Sequence, residues 1–367
     1  AYENIKSIPH HLSAAGYRVA LAGKTHIEPK SVFPFEYLKE FADPIQTEVP
    51  RVNGWRYPEV YQLMKESTQA KKPFCFFLCS NEPHGPYTKG DPKPYLDAKL
   101  SPQQLNLHRD SYAKYLAEIT YFDGQVGEII GMLDKLEIRR NTVVFVASEQ
   151  GSSFPFGKWT CYEIGVASGL VVSWPDRIKA GSKSKAIVEY VDVVPTMLEL
   201  AGVEAKGSLD GKSFLGVLKG TKDKHKTHAF SIQTTLGVNG VKEAYGIRSV
   251  VNERFRYVLN LFPENEFSIP VSRRLLEETA QSAPNERQFA QRFMKRPGEE
   301  LFDVLKDPYC ELNLATDPRF RKEKAALAAK LRDWMADQND QGRATELSAH
   351  GRQNEWATRK QKQKTGN

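Results

Sequence analysis

Thr142-Val143-Val144-Phe145-Val146-Ala147 runs directly into Ser148-Glu149-Gln150-Gly151-Ser152-Ser153-Phe154-Pro155-Phe156-Gly157-Lys158-Trp159-Thr160. The first part is β-branched and aromatic and reads as a strand inside a sheet. The run stops at an acid–amide pair and a glycine turn, so oxygen donors stand at the strand's carboxyl end. Open α/β sheets bind their ligands at that end. A hard cation such as Ca²⁺ takes carboxylate and amide oxygens, which Glu149 and Gln150 carry. Lys158 offers a positive charge for an anion beside such a metal. Taken alone, Glu-Gln-Gly is ordinarily a polar cap on a strand. The surrounding chain shifts that reading.

Working outward, strand and helix patterns alternate. Residues 1–15 read as a helix stopped by Gly16, and Tyr17 to Ala22 as a strand that leaves through Gly23-Lys24-Thr25-His26. Residues 31–56 read as loop and Pro58 to Ala70 as a helix with its proline in the first turn. Pro73 to Cys79 is a continuous apolar run, which fits a strand buried on both faces, and it ends at Asn81-Glu82-Pro83-His84-Gly85-Pro86. Tyr112, Tyr115, Leu116, Ile119, Phe122, Val126, Ile129, Ile130 and Leu133 recur at helical spacing. Gly169 to Trp174 is a further strand and Val191 to Leu200 a further helix. This alternation predicts an α/β fold, a mostly parallel sheet sandwiched by helices.

From about residue 225 the texture changes. Ala244 to Val251 pairs with Arg254 to Asn260, Ile269 to Arg296 is mainly helical, Leu301 to Val304 is a strand, and Lys322 to Ala336 is an amphipathic helix. The expected organisation is a catalytic domain over 1–224, a smaller α+β subdomain with a short antiparallel sheet over 225–340, and a basic, flexible tail over 341–367.

Composition narrows the class. The 367 residues are 40% hydrophobic, and no apolar run approaches the roughly 20 residues of a membrane span. The formal net charge is +7, but Arg352, Arg359, Lys360, Lys362 and Lys364 against Glu355 place much of it at the end. The body is mildly basic and has no basic stripe interleaved with aromatics, which argues against nucleic acid. Cys75, Cys79, Cys161 and Cys310 form no Cys-x-x-Cys pair, so a zinc or dithiol site is not expected.

Three separate strand exits therefore carry polar groups: Lys24 with His26, then His84, then Glu149, Gln150 and Lys158. One histidine after a strand is usually structural, but three such exits on one edge of a parallel sheet point to an active site. The residue types suit attack on a tetrahedral oxyanion. Two lysines neutralise oxygens as charge builds, a hard metal polarises another, and histidines move protons. The nucleophile is missing from this set.

The chain resembles the type I sulfatases of the alkaline phosphatase superfamily. The resemblance is carried by Ala15-Gly16-Tyr17 through Gly23-Lys24-Thr25-His26, where the family usually reads Gly-Lys-Trp-His. It continues in Pro83-His84-Gly85-Pro86, Tyr121 to Gly127, Ser148 to Gly151 with Gly157 to Thr160, Trp174 to Ile178, Val191 to Thr196, and Glu300 to Asp303 with Asp307-Pro308 and Glu311 to Leu314. It implies a cysteine oxidised to formylglycine, whose hydrate attacks sulfur beside Ca²⁺. Lys24 would bridge the formylglycine and a sulfate oxygen, and His26 would help expel sulfate. His84 would face the leaving oxygen and Lys158 would bind sulfate. Glu149 and Gln150 would stand where the family's metal-binding Asp and Asn or His stand, each one methylene longer.

The family's Cys-x-Pro-Ser-Arg block and its N-terminal aspartate pair have no counterpart here. The expectation is the larger C-terminal part of a sulfatase, inactive by itself, with an upstream N-terminal segment supplying the nucleophile. A sulfated carbohydrate is the expected substrate, because the Gly-Ser-Ser-Phe-Pro-Phe stretch resembles sulfatases of polysaccharides, including relatives of heparan N-sulfatases. Tyr87, Tyr162 and Arg248 would line the leaving-group pocket, with structural roles equally open. The sequence has no Asn-x-Ser/Thr sequon, which together with the resemblance suggests a periplasmic or secreted bacterial protein. Two rivals remain: a phosphate or phosphonate ester hydrolase of the same superfamily, and a carbohydrate-binding relic that has lost its nucleophile.

Overall fold

The computed structural model describes residues 3–39, 54–204, 209–237 and 241–352, with 355 and 358 in addition. In chain order the elements are α1 (Ile8–Ala14), β1 (Arg18–Gly23), β2 (Glu36–Leu38), α2 (Pro58–Gln69), β3 (Phe74–Cys79), α3 (Arg109–Lys135), β4 (Val144–Ala147), α4 (Glu163–Val166), β5 (Leu170–Ser173), α5 (Val193–Leu200) and α6 (Leu215–Leu218). There follow β6 (Ala229–Gln233), β7 (Ile247–Val251), β8 (Phe255–Asn260), α7 (Pro270–Thr279), α8 (Pro284–Met294), β9 (Glu299–Asp303), α9 (Arg321–Asp337) and α10 (Arg343–Leu347). The short strand β2 lies inside the span expected to be loop, of which residues 40–53 fall outside the described residues.

The chain divides into two compact units. The first comprises 1–100, 106–146 and 170–225, and the second 101–105, 147–169 and 226–367. The expected boundary near 225 is therefore present. The segment after β4 belongs with the second unit, because its aromatic residues join that unit's core.

In the first unit, β1 lies between β2 and β3 and runs parallel to both, with Arg18 opposite Phe74 and Gly23 opposite Cys79. The period-2 pleat divides the apolar run of β3 between two layers. Phe74, Phe76 and Leu78 pack with α2 and α3 through Val60, Met64, Ile129, Met132 and Leu133. Cys75 and Phe77 pack with α1 and α5 through Leu12 and Leu198. Helices thus cover both faces, as a parallel sheet requires. Even so, β3 is only half-buried along its length. Among the described residues it pairs with β1 on one edge alone, and β4 pairs only with β5. The expectation of a fully buried strand is corrected to that extent.

The second unit holds a four-stranded antiparallel sheet in the order β6-β7-β8-β9. Val250, Tyr257 and Leu301 face α9 through Leu327 and Leu331. Ile247, Val258 and Phe302 face the other way, onto Phe156, Tyr162, Phe267 and Phe293. The tail expected to be flexible is packed in its first part. Glu346 of α10 is 0% exposed and accepts the backbone N–H of Thr235 at 2.8 Å. Most of 353–367 lies outside the described residues.

Candidate active site

In the first unit the parallel register sets two polar exits on one sheet edge. Gly23 ends β1 with φ +91°, and the Lys24 N–H then donates to Cys79 O at 2.8 Å, one step beyond the last register pair. Lys24 and His26 leave β1 there, and Ser80 to His84 leave β3 beside them. His26 and His84 are exposed and Lys24 is half-buried. The His84 Nδ1 lies 2.8 Å from Gly85 O. A carbonyl oxygen only accepts, so Nδ1 carries the hydrogen and Nε2 is the nitrogen left to exchange a proton.

The exit of β3 is held by polar groups that the amphipathic reading of α3 passed over. Glu118, Gln125 and Glu128 are buried on that helix. Gln125 Oε1 lies 2.7 Å from the Ser80 hydroxyl, and its Nε2 donates to the Tyr57 hydroxyl at 2.7 Å. Glu128 accepts from the backbone N–H and Nε of Arg56. Spacings of seven and ten residues place all three on one helix face, which is the signal that identifies them in the sequence.

In the second unit, Glu149 and Gln150 follow β4 with exposed side chains, and Lys158 is half-buried in the loop beyond them. That loop is tightly determined. A Cβ on Gly151 would stand 1.9 Å from Ile164 O. Phe156 (φ +62°) and Trp159 (φ +74°) hold left-handed backbone on either side of Gly157-Lys158. For non-glycine residues such conformations cost about 1–3 kcal/mol each and persist only when the surroundings impose them. Here Phe156 is locked between Phe289 and Phe293, and Thr160 Oγ1 lies 2.7 and 2.8 Å from the carbonyl oxygens of Phe156 and Gly157. Arg256 of β8 grips the far end through Glu163 Oε2 at 2.6 Å.

These observations correct two expectations. Tyr162 is buried, and its hydroxyl lies 2.9 and 3.0 Å from the two oxygens of Glu300. Burial and then the Glu300 charge push the phenol well above its ordinary value. Tyr162 therefore ties the loop to β9 and lines no surface pocket. Arg248 is 1% exposed and donates to Asp340 and to the backbone oxygens of Gln233 and Ile247. It too is structural. Tyr87 is half-buried, with its ring edge-on to Tyr115 at 5.5 Å.

The Sulfatase family model matches residues 2–203. The chain belongs to the sulfatase family. A second model, N-sulphoglucosamine sulphohydrolase C-terminal, matches 151–268. An ulvan-active sulfatase of Formosa agariphila is 30% identical over 346 residues, covering 92% of this chain and 66% of that protein. Human N-sulphoglucosamine sulphohydrolase is 27% identical over 390 residues, covering 93% and 75%. A structure solved in complex with its substrate D-glucosamine-2-N,6-O-disulfate superposes with a TM-score of 0.65 at 17% identity, covering 92% of this chain and 83% of that one. The fold is accordingly the alkaline phosphatase-like fold of sulfatases, and this chain spans about two thirds of the length of the first of these relatives.

In this member of the family, no group of three or more His, Cys, Asp or Glu side chains gathers around a common point among the described residues. Calcium takes six to eight oxygens. The exposed oxygens of Glu149 and Gln150 have the right chemistry for such an ion but furnish only part of its shell. Burial pushes Cys75, Cys161 and Cys310 up to about 12, and a protonated thiol is a poor nucleophile. Among the described residues no helix is long and apolar enough to cross a membrane.

Proposed function

We propose that this chain is the larger part of a sulfuric ester hydrolase that removes sulfate from a sulfated carbohydrate. The observation that carries the reading is the shared edge of β1 and β3 in a member of the sulfatase family. The register that pairs Gly23 with Cys79 ends β1 and β3 at the same end of the sheet, and the segments that leave there carry Lys24, His26 and His84. The named relatives act on sulfated glycans, which suggests the substrate class. They are also longer than this chain, which supports a nucleophile supplied by an upstream segment. A periplasmic or secreted location follows the same resemblance.

When bound, a formylglycine hydrate and Ca²⁺ would supply the attacking oxygen and a Lewis acid, with Glu149 and Gln150 contributing oxygens to the metal. The chain's own residues do the rest. Lys24 would neutralise a sulfate oxygen, with most effect as charge builds in the transition state, and the family resemblance gives Lys158 a sulfate-binding role as well. His84 hands a proton from Nε2 to the leaving sugar oxygen, and His26 moves a proton at the nucleophile's side. Tyr87 packs at the foot of the His84 loop, where a sugar ring is expected.

The test uses the complete protein, including its upstream segment, with sulfated ulvan and heparan oligosaccharides. Sulfate release is expected, and Lys24→Ala or Lys158→Ala lowers kcat by about 10²–10³-fold. Glu149→Ala is expected to weaken calcium binding in isothermal titration. Hydrolysis of phosphonate esters with no sulfate released would overturn the reading. Unchanged calcium affinity would remove Glu149 from the metal.

A further inference from the structure

We infer that Glu118, in α3, is the positioning residue for His84. The inference rests on the reading of His84 as proton donor to the leaving oxygen. Glu118 is 1% exposed, yet it carries a carboxylate. A buried carboxylate is tolerated only when its lone pairs are filled. Its donors all come from one loop. Oε2 accepts the backbone N–H of His84 at 3.0 Å, and Oε1 accepts those of Thr88 at 2.7 Å and Lys89 at 3.3 Å. Three amides of the segment that carries His84 thus converge on one anion, an arrangement that oriented backbone dipoles favour.

Two contacts beside it show how closely the loop is drawn onto the helix. Gly90 has φ +75°, and a Cβ there would stand 2.6 Å from Ala117 O, one residue before Glu118. The Tyr87 ring meets Tyr115 of the same helix. The imidazole itself points outward and is oriented by the loop backbone through Gly85 O. The chain of restraint therefore runs from a 27-residue helix through Glu118 to the loop amides, and from the loop to the ring. Charge-assisted hydrogen bonds of this kind are short and directional. A glutamine cannot replace the carboxylate, because its NH₂ group would face an N–H on one side or the other. Shortening to aspartate keeps the charge but withdraws it by one methylene.

The experiment compares His84→Ala, Glu118→Gln and Glu118→Asp in the complete protein on two probes. N-acetylglucosamine 6-sulfate has a poor leaving group that needs a proton, whereas 4-nitrophenyl sulfate releases a stable phenolate that does not. Misplacing a catalytic group by an ångström costs about 10²-fold. Glu118→Gln is therefore expected to lower kcat on the sugar sulfate by about ten- to a hundredfold, with KM little changed. Loss on the aryl sulfate should stay within about threefold, since that step does not draw on the acid. Glu118→Asp should fall between Glu118→Gln and the unaltered enzyme.

If His84→Ala splits the two probes and Glu118→Gln slows both alike, the positioning role is overturned. If His84→Ala itself shows no split, or neither probe is turned over, the proton-donor reading fails instead. Hydrogen exchange in a peptide spanning 82–90 then judges the anchor. Glu118→Gln should speed exchange of the His84, Thr88 and Lys89 amides at least about tenfold, the effect of losing one hydrogen bond to a charged group. Unchanged exchange overturns the inference.

Discussion

Replacing Arg248 by methionine tests whether this arginine holds the second unit together or serves a substrate. Its guanidinium is enclosed, donating through Nε and Nη2 to the two oxygens of Asp340 and through Nη1 to the backbone of Gln233 and Ile247. Nη1 also stands 3.7 Å from Glu346 Oε2. Glu346 is fully buried. Its Oε1 accepts the N–H groups of Thr235 and Leu236, while Oε2 has no hydrogen-bond partner among the described residues. Methionine fills much of the volume but leaves two carboxylates without their cation. Removing one partner of a buried ion pair typically costs about 3–5 kcal/mol, and that is the loss expected in urea unfolding at pH 7.

The pH dependence has a definite sign. Burial raises the Asp340 carboxyl, but the hydrogen bonds and charge of Arg248 outweigh it and hold the group below its ordinary value. A depressed carboxyl contributes stability above its unfolded pKa, near ~3.9, and loses it as pH falls through the folded value. The gap between the native protein and Arg248→Met should therefore be widest near neutrality and narrow towards about pH 4, as the Asp340 carboxylate takes up its proton. In the folded fraction KM should be unchanged. A loss under about 1 kcal/mol, a gap independent of pH, or a selective rise in KM would refute the structural role.

Gly151→Ala forces a Cβ against Ile164 O and the Gly165 backbone, neither of which can recede as a flexible side chain would. A cost of about 1–3 kcal/mol is expected in thermal unfolding, together with weaker inhibition by inorganic sulfate as the Lys158 loop shifts. Unaltered melting and inhibition would show that the loop is looser than its contacts imply. With burial holding Cys75, Cys161 and Cys310 near 12, all three should resist a disulfide reagent at pH 8 until urea is added. Rapid labelling of any of them in the native protein would contradict that burial.

Much of the frame was written in local pattern. The apolar runs at 73–79 and 142–147, the helical spacing of 112–133 and the glycine stop at Gly16 are properties of neighbouring residues, and the structure has elements at each. The candidate site residues were chosen for the same reason. Lys24, His84 and Glu149 stand within a few residues of a strand end, and strand ends are visible in sequence, while Lys158 lies farther along the loop after β4. What distinguishes Tyr162 and Arg248 from Tyr87 is not local. All are polar residues near plausible loops, and only the partners Glu300 and Asp340, 138 and 92 residues away, reveal that two of them are enclosed.

By itself, then, the sequence determined the alternation of strand and helix, the parallel register's polar edge and the family, because hydrophobic period and turn chemistry act over short spans. Only the tertiary structure decided which polar groups work from inside. The spacing of Glu118 from Gln125 and Glu128 shows a shared helix face, but nothing local says what covers that face. Folding removes Glu118 from water, and a buried carboxylate must then find donors, which the loop of His84 supplies. Burial is a property of the whole packed chain, so a charge's role changes with what closes over it.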